Sequence, residues 1–473
     1  MDIIFRKSSP GKNRYGIPSL DVGGRDPIPA QFCNENLSLP DVGEVEVVRH
    51  YTNISRMNFG VDSGMYPLGS CTMKYNPKIN EKIATNRQFT DIHPLTDAHA
   101  VQGSLSILYE LSQYLREITG LNFSLNPAAG SHGELTGAMI IKKYFQDLGQ
   151  KRPVIIIPDS AHGTNPASVA MCGFTVKEVT SDSEGDVDIE KLKEMMNGDV
   201  AAMMLTSPNT LGLFDRNILA IADLLHQNGS LFYGDGANLN ATLGKARMAD
   251  MGFDIMHINL HKSFSTPHGG GGPGSGPVGV TDMLEKYLPV PVVKNWEGGY
   301  HLDCDRPHSI GRIHSFYGNF LIALRAYAYI RSLGPDGIRD VAEIAVLNAN
   351  YLLACLKNLY HVPIQRKCMH EFVISDRDIP NGVTTNDISK RILDYGFHSP
   401  TVYFPLHVEG AIMIEPTETE TKESLDSFVK AMAEIRRESF EDPDLVKSSP
   451  HTTPVKRVDA VIAARKPVLT WAE

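Results

Sequence analysis

The sequence predicts an α/β protein: a large domain on a mainly parallel sheet, followed by a smaller α/β domain at the carboxyl end. Three observations predict it. Between residues 153 and 259, short apolar runs alternate with helical patterns, the pattern of right-handed strand–helix–strand crossovers. A long helical pattern then breaks at Gly334-Pro335, and a second, shorter alternation follows it. A chain of 473 residues is also long enough to bury large cores.

In chain order, residues 1–95 read as irregular, rich in Pro, Gly and Asn, and include the unperiodic segment MYPLGSCTMKYNP. From Gln102 to Thr119, leucines at 105, 108, 111 and 115 mark a helix face. Ser131 and Glu134 in NPAAGSHGEL have capping-box spacing, which predicts a helix from Ser131 to about Leu148. PVIIIPD (153–159) reads as a buried strand, and Asn165-Pro166 as the cap and first turn of the next helix. FTVKEVT, AAMMLTS, SLFYGD (230–235) and FDIMHIN (253–259) are further strands, separated by helices over 187–196 and 217–229. Helices at 318–333 and 338–359 lead to the smaller unit: EFVIS, a helix over 386–395, TVYFPLHV, AIMIEPT and a helix over 422–437. The expected division is an N-terminal arm (1–95), a large domain (96–334), a small domain (335–442) and a C-terminal arm (443–473).

A net charge of −10 without blocks of like charge argues against a nucleic-acid or membrane surface. Six cysteines without a C-x-x-C pair, and an amino terminus without an apolar core, point to a cytoplasmic protein with no membrane span.

Ligands in such sheets bind beyond the carboxyl ends of the strands. Three candidate groups stand there. Lys262, in HINLHKSFSTP, follows a strand, and an amine sheltered from water is what a Schiff base to a carbonyl cofactor requires. Asp235 ends the preceding strand; it is either a turn cap or a partner for a protonated ring nitrogen. His162 is either a ring lying on a cofactor or a hydrogen-bonded turn histidine. The N–H groups at Gly130, Ser131 and His132 open a helix and suit an anion.

The densest glycine, PHGGGGPGSGPVG (267–279), contains Gly274, Gly276 and Gly279 in G-x-G-x-x-G spacing, but it lacks the strand and helix that a dinucleotide site needs. It reads instead as a mobile flap or a close backbone approach beside a ligand, and stiffening Gly270 and Gly272 to alanine would test the flap. His257 and His261 would sit about 13 Å apart on a strand, so no metal is expected there.

The motifs MYPLGSCTMKYNP, NPAAGSHGEL, SAHGTNPASVAMCG, SPNTLGLFD, GDGANLNA, NLHKSFSTPHGGGGPGSGPVG and EPTETET together resemble the P-protein family of the glycine cleavage system, the pyridoxal-phosphate glycine decarboxylases. The resemblance runs from about residue 40 to the C-terminal end and corresponds to subunit 2 of the two-chain form. It implies a type I, aspartate-aminotransferase-like fold and pyridoxal 5'-phosphate as cofactor. In that reading Lys262 carries the cofactor, His162 stacks on its ring and Asp235 pairs with the ring nitrogen. Ala237 touches a ring face, Gly130 and Ser131 cup the phosphate, and Thr210 and His261 lie close by. It further implies glycine as substrate, subunit 1 as partner (two of each chain), and transfer of the aminomethyl group to the lipoyl arm of the H-protein, with the flap as gate. The rivals are another enzyme of the same fold, such as an aminotransferase or a desulfurase, and a partner chain that keeps the fold without catalysis.

Overall fold

The computed structural model describes residues 2–9, 21, 29–33, 39–269 and 274–470. It divides into two compact units, Met1–Gly60 with Thr453–Glu473, and Val61–Thr452. No helix among the described residues is long and apolar enough to cross a membrane.

The larger unit holds a seven-stranded sheet. Its strands are β1 (Asn122–Ser124), β2 (Val154–Pro158), β3 (Thr175–Val179), β4 (Val200–Thr206), β5 (Leu231–Gly236), β6 (Ile255–Ile258) and β7 (Val278–Val280), in the order β1-β7-β6-β5-β4-β2-β3. The neighbours from β3 to β6 are parallel, whereas β7 runs antiparallel to both β6 and β1. Strand order reverses between β2 and β4, which places a switch point there.

β2 and β4 are near-continuous apolar runs because both of their faces are covered, whereas the edge strand β3 carries Lys177 and Glu178. Ile156, Met203, Leu205 and Phe232 pack on one face with Leu111, Leu115, Ile221, Leu225 and Tyr329. Ile155, Ile157, Met204 and Tyr233 pack on the other with Ile140, Ile141, Phe145 and Val169. Adjacent residues of one strand thus serve opposite cores, as a two-residue repeat demands.

A hairpin of β8 (Val292–Trp296) and β9 (Gly299–Asp303) precedes a helical run, Phe320–Leu356. Within that run Gly334 has φ 65° and ψ −176°, a left-handed conformation that suits glycine, and Pro335 lacks an N–H, so the run is two helices meeting at a bend. Beyond it, β10 (Phe372–Ser375), β11 (Thr401–Val402) and β12 (Ala411–Ile414) form an antiparallel sheet ordered β10-β12-β11. Phe372, Ile374, Ile412 and Ile414 of that sheet share a second core with Leu352, Ile388, Phe428 and Met432.

Several sequence readings are corrected. The segment read as irregular contains the helix Glu44–Ser55, opened by acidic residues at 44 and 46. TVYFPLHV supplies only two strand residues, because Tyr403 turns to φ 56° and Pro405 has no donor for a ladder. The helix expected from Ser131 begins at Gly130 with no side-chain cap, so the predicted Ser131–Glu134 box does not form. The following helix begins at Thr164, which leaves Asn165 inside it rather than at its cap. Finally, the glycine run ends in the buried strand β7, and no helix opens among its described residues. Gly270 and Gly272 lie outside the described residues.

Candidate active site

A cavity of about 240 Å³ opens at the carboxyl ends of β2, β4, β5 and β6. Its wall includes Lys262, His162, Asp235, Ala237, Gly130, Ser131, Thr210 and His261, so the structure brings together the eight residues that the resemblance implies, while His132 does not line it. A larger hollow, about 940 Å³ around Tyr114, Phe214 and Ile338, shares none of these residues.

Each group is placed by the end of an element. Lys262 lies in the helical turn Leu260–Ser263, directly after β6, and its Nζ donates to the Ser70 carbonyl at 2.6 Å. Asp235, 3% exposed at the end of β5, accepts from the Ala237 N–H at 2.9 Å and from Asn165 Nδ2 at 3.0 Å. Thr206 Oγ1, at 3.3 Å, also donates to it. Behind Asp235, His257 Nε2 stands 3.3 Å from Oδ1, while the Tyr233 hydroxyl meets His257 Nδ1 at 2.8 Å. Burial holds the His257 ring below its usual pKa. A neutral imidazole therefore backs the carboxylate.

His162 occupies the turn between β2 and the helix Thr164–Met171, with its ring edge-on to Phe404. Thr210 follows β4, lines the cavity and donates its hydroxyl to the Ser160 carbonyl at 2.7 Å. His261 accepts from the Ser275 N–H at 3.4 Å and meets the His268 ring edge-on. Burial, with His268 and Lys262 nearby, drives His261 down to about 3. His268 falls to about 4, again mainly through burial. Both rings beside the lysine are neutral at physiological pH.

At the cavity's other end the helix Gly130–Asp147 opens with its first N–H groups lacking intrahelical partners. A Cβ on Gly130 would overlap Asn259 Oδ1, a buried oxygen with no hydrogen-bond partner. A Cβ on Gly276 would overlap the Ala129 carbonyl. The glycines thus let two backbones close around this helix end.

Sequence reasoning missed four groups. Glu134 lines the site, with its Oε1 2.8 Å from Thr164 Oγ1. Burial, with Asp235 adding to it, raises its carboxyl to about 8. Asn165 holds Asp235, and Ser70 receives Lys262. Lys74, in the same unperiodic segment as Ser70, is 2% exposed and bonds Glu418, Asn240 and the Ser263 carbonyl. Glu134, Asp235 and His257 bring ligand-type atoms within 4.8 Å of one another. Protein partners already engage all three side chains.

Family models agree with this architecture: residues 133–271 match "Aminotransferase class-V" and residues 341–453 match "Glycine dehydrogenase, C-terminal domain". Among solved structures, an inhibitor-bound glycine decarboxylase (P-protein) of the glycine cleavage system superposes with a TM-score of 0.73 at 20% identity, covering 86% of this chain and 93% of that one. A cysteine desulfurase from Thermococcus onnurineus gives 0.62 at 13% identity over 80% and 95%. These likenesses establish the type I, aspartate-aminotransferase-like fold. The curated relative "Probable glycine dehydrogenase (decarboxylating) subunit 2" of Caldanaerobacter subterraneus is 55% identical over 100% of this chain and 99% of its own. Its namesake in Bacillus licheniformis is 56% identical over 99% and 98%. With identity of that order over the whole length of both partners, the chain belongs to the glycine dehydrogenase (decarboxylating) subunit 2 family.

Proposed function

We propose that this chain carries the pyridoxal-phosphate-dependent decarboxylation of glycine as one of two kinds of subunit, two of each, and passes the aminomethyl group to the lipoyl arm of a carrier H-protein. The observation that carries the reading is that an amine, Lys262, and a buried carboxylate, Asp235, wall one 240 Å³ cavity with a helix N-terminus. The residues fit the cofactor: an amine for its carbonyl, a carboxylate for its ring nitrogen, and at Gly130 a helix N-terminus with open N–H groups where a Cβ would crowd Asn259. Lys262 would hold it, with Asp235 at the ring nitrogen, Gly130 and Ser131 at the phosphate, His162 and Ala237 at the ring faces, and Thr210 and His261 beside it. When bound, it supplies a sink for the electron pair left on the glycine α-carbon as CO2 departs.

The chain's own residues then do defined work. Asn165, Thr206 and the Ala237 N–H all donate to Asp235 and fix its direction. Neutral His261 and His268 add no positive charge against Lys262. Transamination by the same fold is told apart by its product, the amine form of the cofactor.

The cytoplasm, suggested by cysteines without pairing motifs, and a division into large (96–334) and small (335–442) domains, suggested by the bend at Gly334, belong to the same proposal. The test is borohydride reduction of the assembled two-subunit enzyme followed by peptide mapping, together with exchange of labelled CO2 into glycine in the presence of lipoylated carrier. A pyridoxyl label on Lys262 with carrier-dependent exchange is expected. A label elsewhere, or net conversion of the cofactor to its amine form by glycine, overturns the reading.

A further inference from the structure

Glu134 has no place in the reaction as read above, yet it is 4% exposed, lines the cavity, and reaches His162 through a single hydroxyl. Thr164 Oγ1 lies 2.8 Å from Glu134 Oε1 and 3.0 Å from His162 Nδ1, and the Thr164 backbone N–H points at the same Nδ1 from 3.3 Å.

We propose that Glu134, acting through Thr164, sets which ring nitrogen of His162 carries the proton, which makes Glu134 and Thr164 positioning residues for that ring. The argument is donor counting. A backbone N–H can only donate, so the 3.3 Å contact needs a bare Nδ1. A bare Nδ1 takes the hydroxyl proton of Thr164. A hydroxyl that has given its proton to His162 meets Glu134 only as an acceptor, and the carboxyl must then be protonated. This arrangement puts the ring proton on Nε2.

With Glu134 ionised the chain of donors runs the other way. The hydroxyl donates to the carboxylate, Nδ1 carries the ring proton and donates to Thr164 Oγ1, the backbone N–H of Thr164 gives up its contact with Nδ1, and Nε2 is bare. The two states balance: the carboxyl proton passes to Thr164, the hydroxyl proton to Nδ1, and one proton leaves from Nε2, the nitrogen turned away from Thr164. The ring is neutral in both, in keeping with the burial that lowers the His162 pKa.

Both states are reachable because burial and Asp235 bring the Glu134 carboxyl up to about 8. The groups facing it are Thr164 and Ser168 from the next helix, Tyr233 and Asp235 from β5, His257 from β6, and Lys262 from the turn after β6. Asp235 and Lys262 also act on His162, whose edge meets Phe404. The inference deepens the proposed function and rests on it in one respect: His162 is the residue assigned there to a cofactor ring face, where its tautomer would decide whether a donor or a lone pair lies beside the ring.

The test is ¹⁵N spectroscopy of the histidine-labelled full chain, assembled with its partner subunit and read with and without cofactor. The His162 signals are identified by their loss in His162→Gln. Between about pH 6.5 and about pH 9.5, either side of the raised Glu134 value, Nδ1 should move from the bare to the protonated position and Nε2 the reverse. Thr164→Ser keeps a hydroxyl and should keep the exchange. Thr164→Val leaves only the backbone N–H at Nδ1 and should hold that nitrogen bare at both ends. An unchanged tautomer in the natural chain, or the same exchange in Thr164→Val, overturns the inference. Borohydride labelling of Lys262 does not depend on this relay. A label at Lys262 with no tautomer exchange therefore refutes the relay alone, whereas a label elsewhere refutes the site assignment.

Discussion

The Nζ of Lys262 donates to the backbone oxygen of Ser70 at 2.6 Å, across 192 positions of sequence. That oxygen is aimed by an unusual turn. Ser70 and Thr72 have φ of 62° and 45°, in the left-handed region where non-glycine residues cost of order 1 kcal/mol or more. Two carboxyl groups hold the turn there: Glu371 Oε2 accepts from the Ser70 N–H at 2.6 Å, and Glu415 Oε2 from the Thr72 N–H at 2.9 Å. Both side chains are fully buried.

These carboxyls predict how stability depends on pH. Burial raises Glu415 from its ordinary 4.5 to about 7, and burial with Glu415 nearby raises Glu371 as well. An acid with a raised folded-state pKa binds its proton more tightly folded than unfolded. Its stabilising contribution is complete below about 4.5 and is lost as pH climbs to about 7. Thermal unfolding of the cofactor-free chain should therefore show a declining component over that window, of order 1–3 kcal/mol. Glu415→Gln, which keeps an acceptor for Thr72, should flatten it. An identical pH slope in the variant would sink the idea.

A second prediction concerns the hold on Asp235. Asp235→Asn removes the charge and should lower glycine–CO2 exchange by about 10²-fold or more, as loss of a preorganised electrostatic contact does elsewhere. Asn165→Ala leaves the charge but frees one oxygen, and should cost roughly tenfold, since the lower end of the range for a hydrogen bond to a charged group is about 1.5 kcal/mol and Thr206 and the Ala237 N–H still hold the carboxyl. Steady-state exchange rates of the two variants, each assembled with its partner subunit, test the ranking. Equal losses would mean that Asn165 matters as much as the charge.

The contrast between Asp235 and Asn165 also shows what the sequence could reveal. β2, β4, β5 and β6 were legible because strands buried on both faces are written as unbroken apolar runs, and residues such as Asp235 and Lys262 follow from where those runs stop. Asn165 and Glu134 were misread as caps, because their spacing along one helix is local while their partners, Asp235 and Thr164, come from other elements. Ser70 and Lys74 lie in a stretch with no period, so only the long-range contacts to 262, 371 and 418 give them meaning. The helix Glu44–Ser55 was hidden by valines at 45, 47 and 48, which weaken helix propensity. β7 was hidden by the glycine run before it.

Two glycines make a third prediction, because what a Cβ would strike differs. At Gly276 it meets the Ala129 backbone carbonyl, which cannot swing aside. Gly276→Ala should destabilise the chain by about 3 kcal/mol or more, an overpacking cost, and be read as a lowered Tm. At Gly130 it meets the Asn259 side chain, whose Oδ1 is held by no hydrogen bond. Gly130→Ala should fold with a nearly unchanged Tm yet bind pyridoxal phosphate about tenfold more weakly, since the methyl fills the proposed phosphate cup. If both variants lost only stability, the cup assignment would be wrong.

The ion pair Lys74–Glu418 separates fold support from chemistry. Its charged atoms are 2.7 Å apart, and the side chains are 1% and 7% exposed. Lys74 also reaches the carbonyl of Ser263, the residue after Lys262, at 3.0 Å. Removing one charge strands the other, which typically costs about 3–5 kcal/mol, whereas removing both often costs little. Lys74→Met should therefore lower Tm sharply, and Lys74→Met with Glu418→Leu should recover most of the loss. Tm does not report the position of the Lys262 turn, but activity does. The double variant should regain stability yet remain slower in glycine–CO2 exchange, because no donor then holds the Ser263 carbonyl. Full recovery of both would mean that Lys74 serves the fold alone, and recovery of neither would place its main role in the Asn240 and Ser263 bonds rather than in the ion pair.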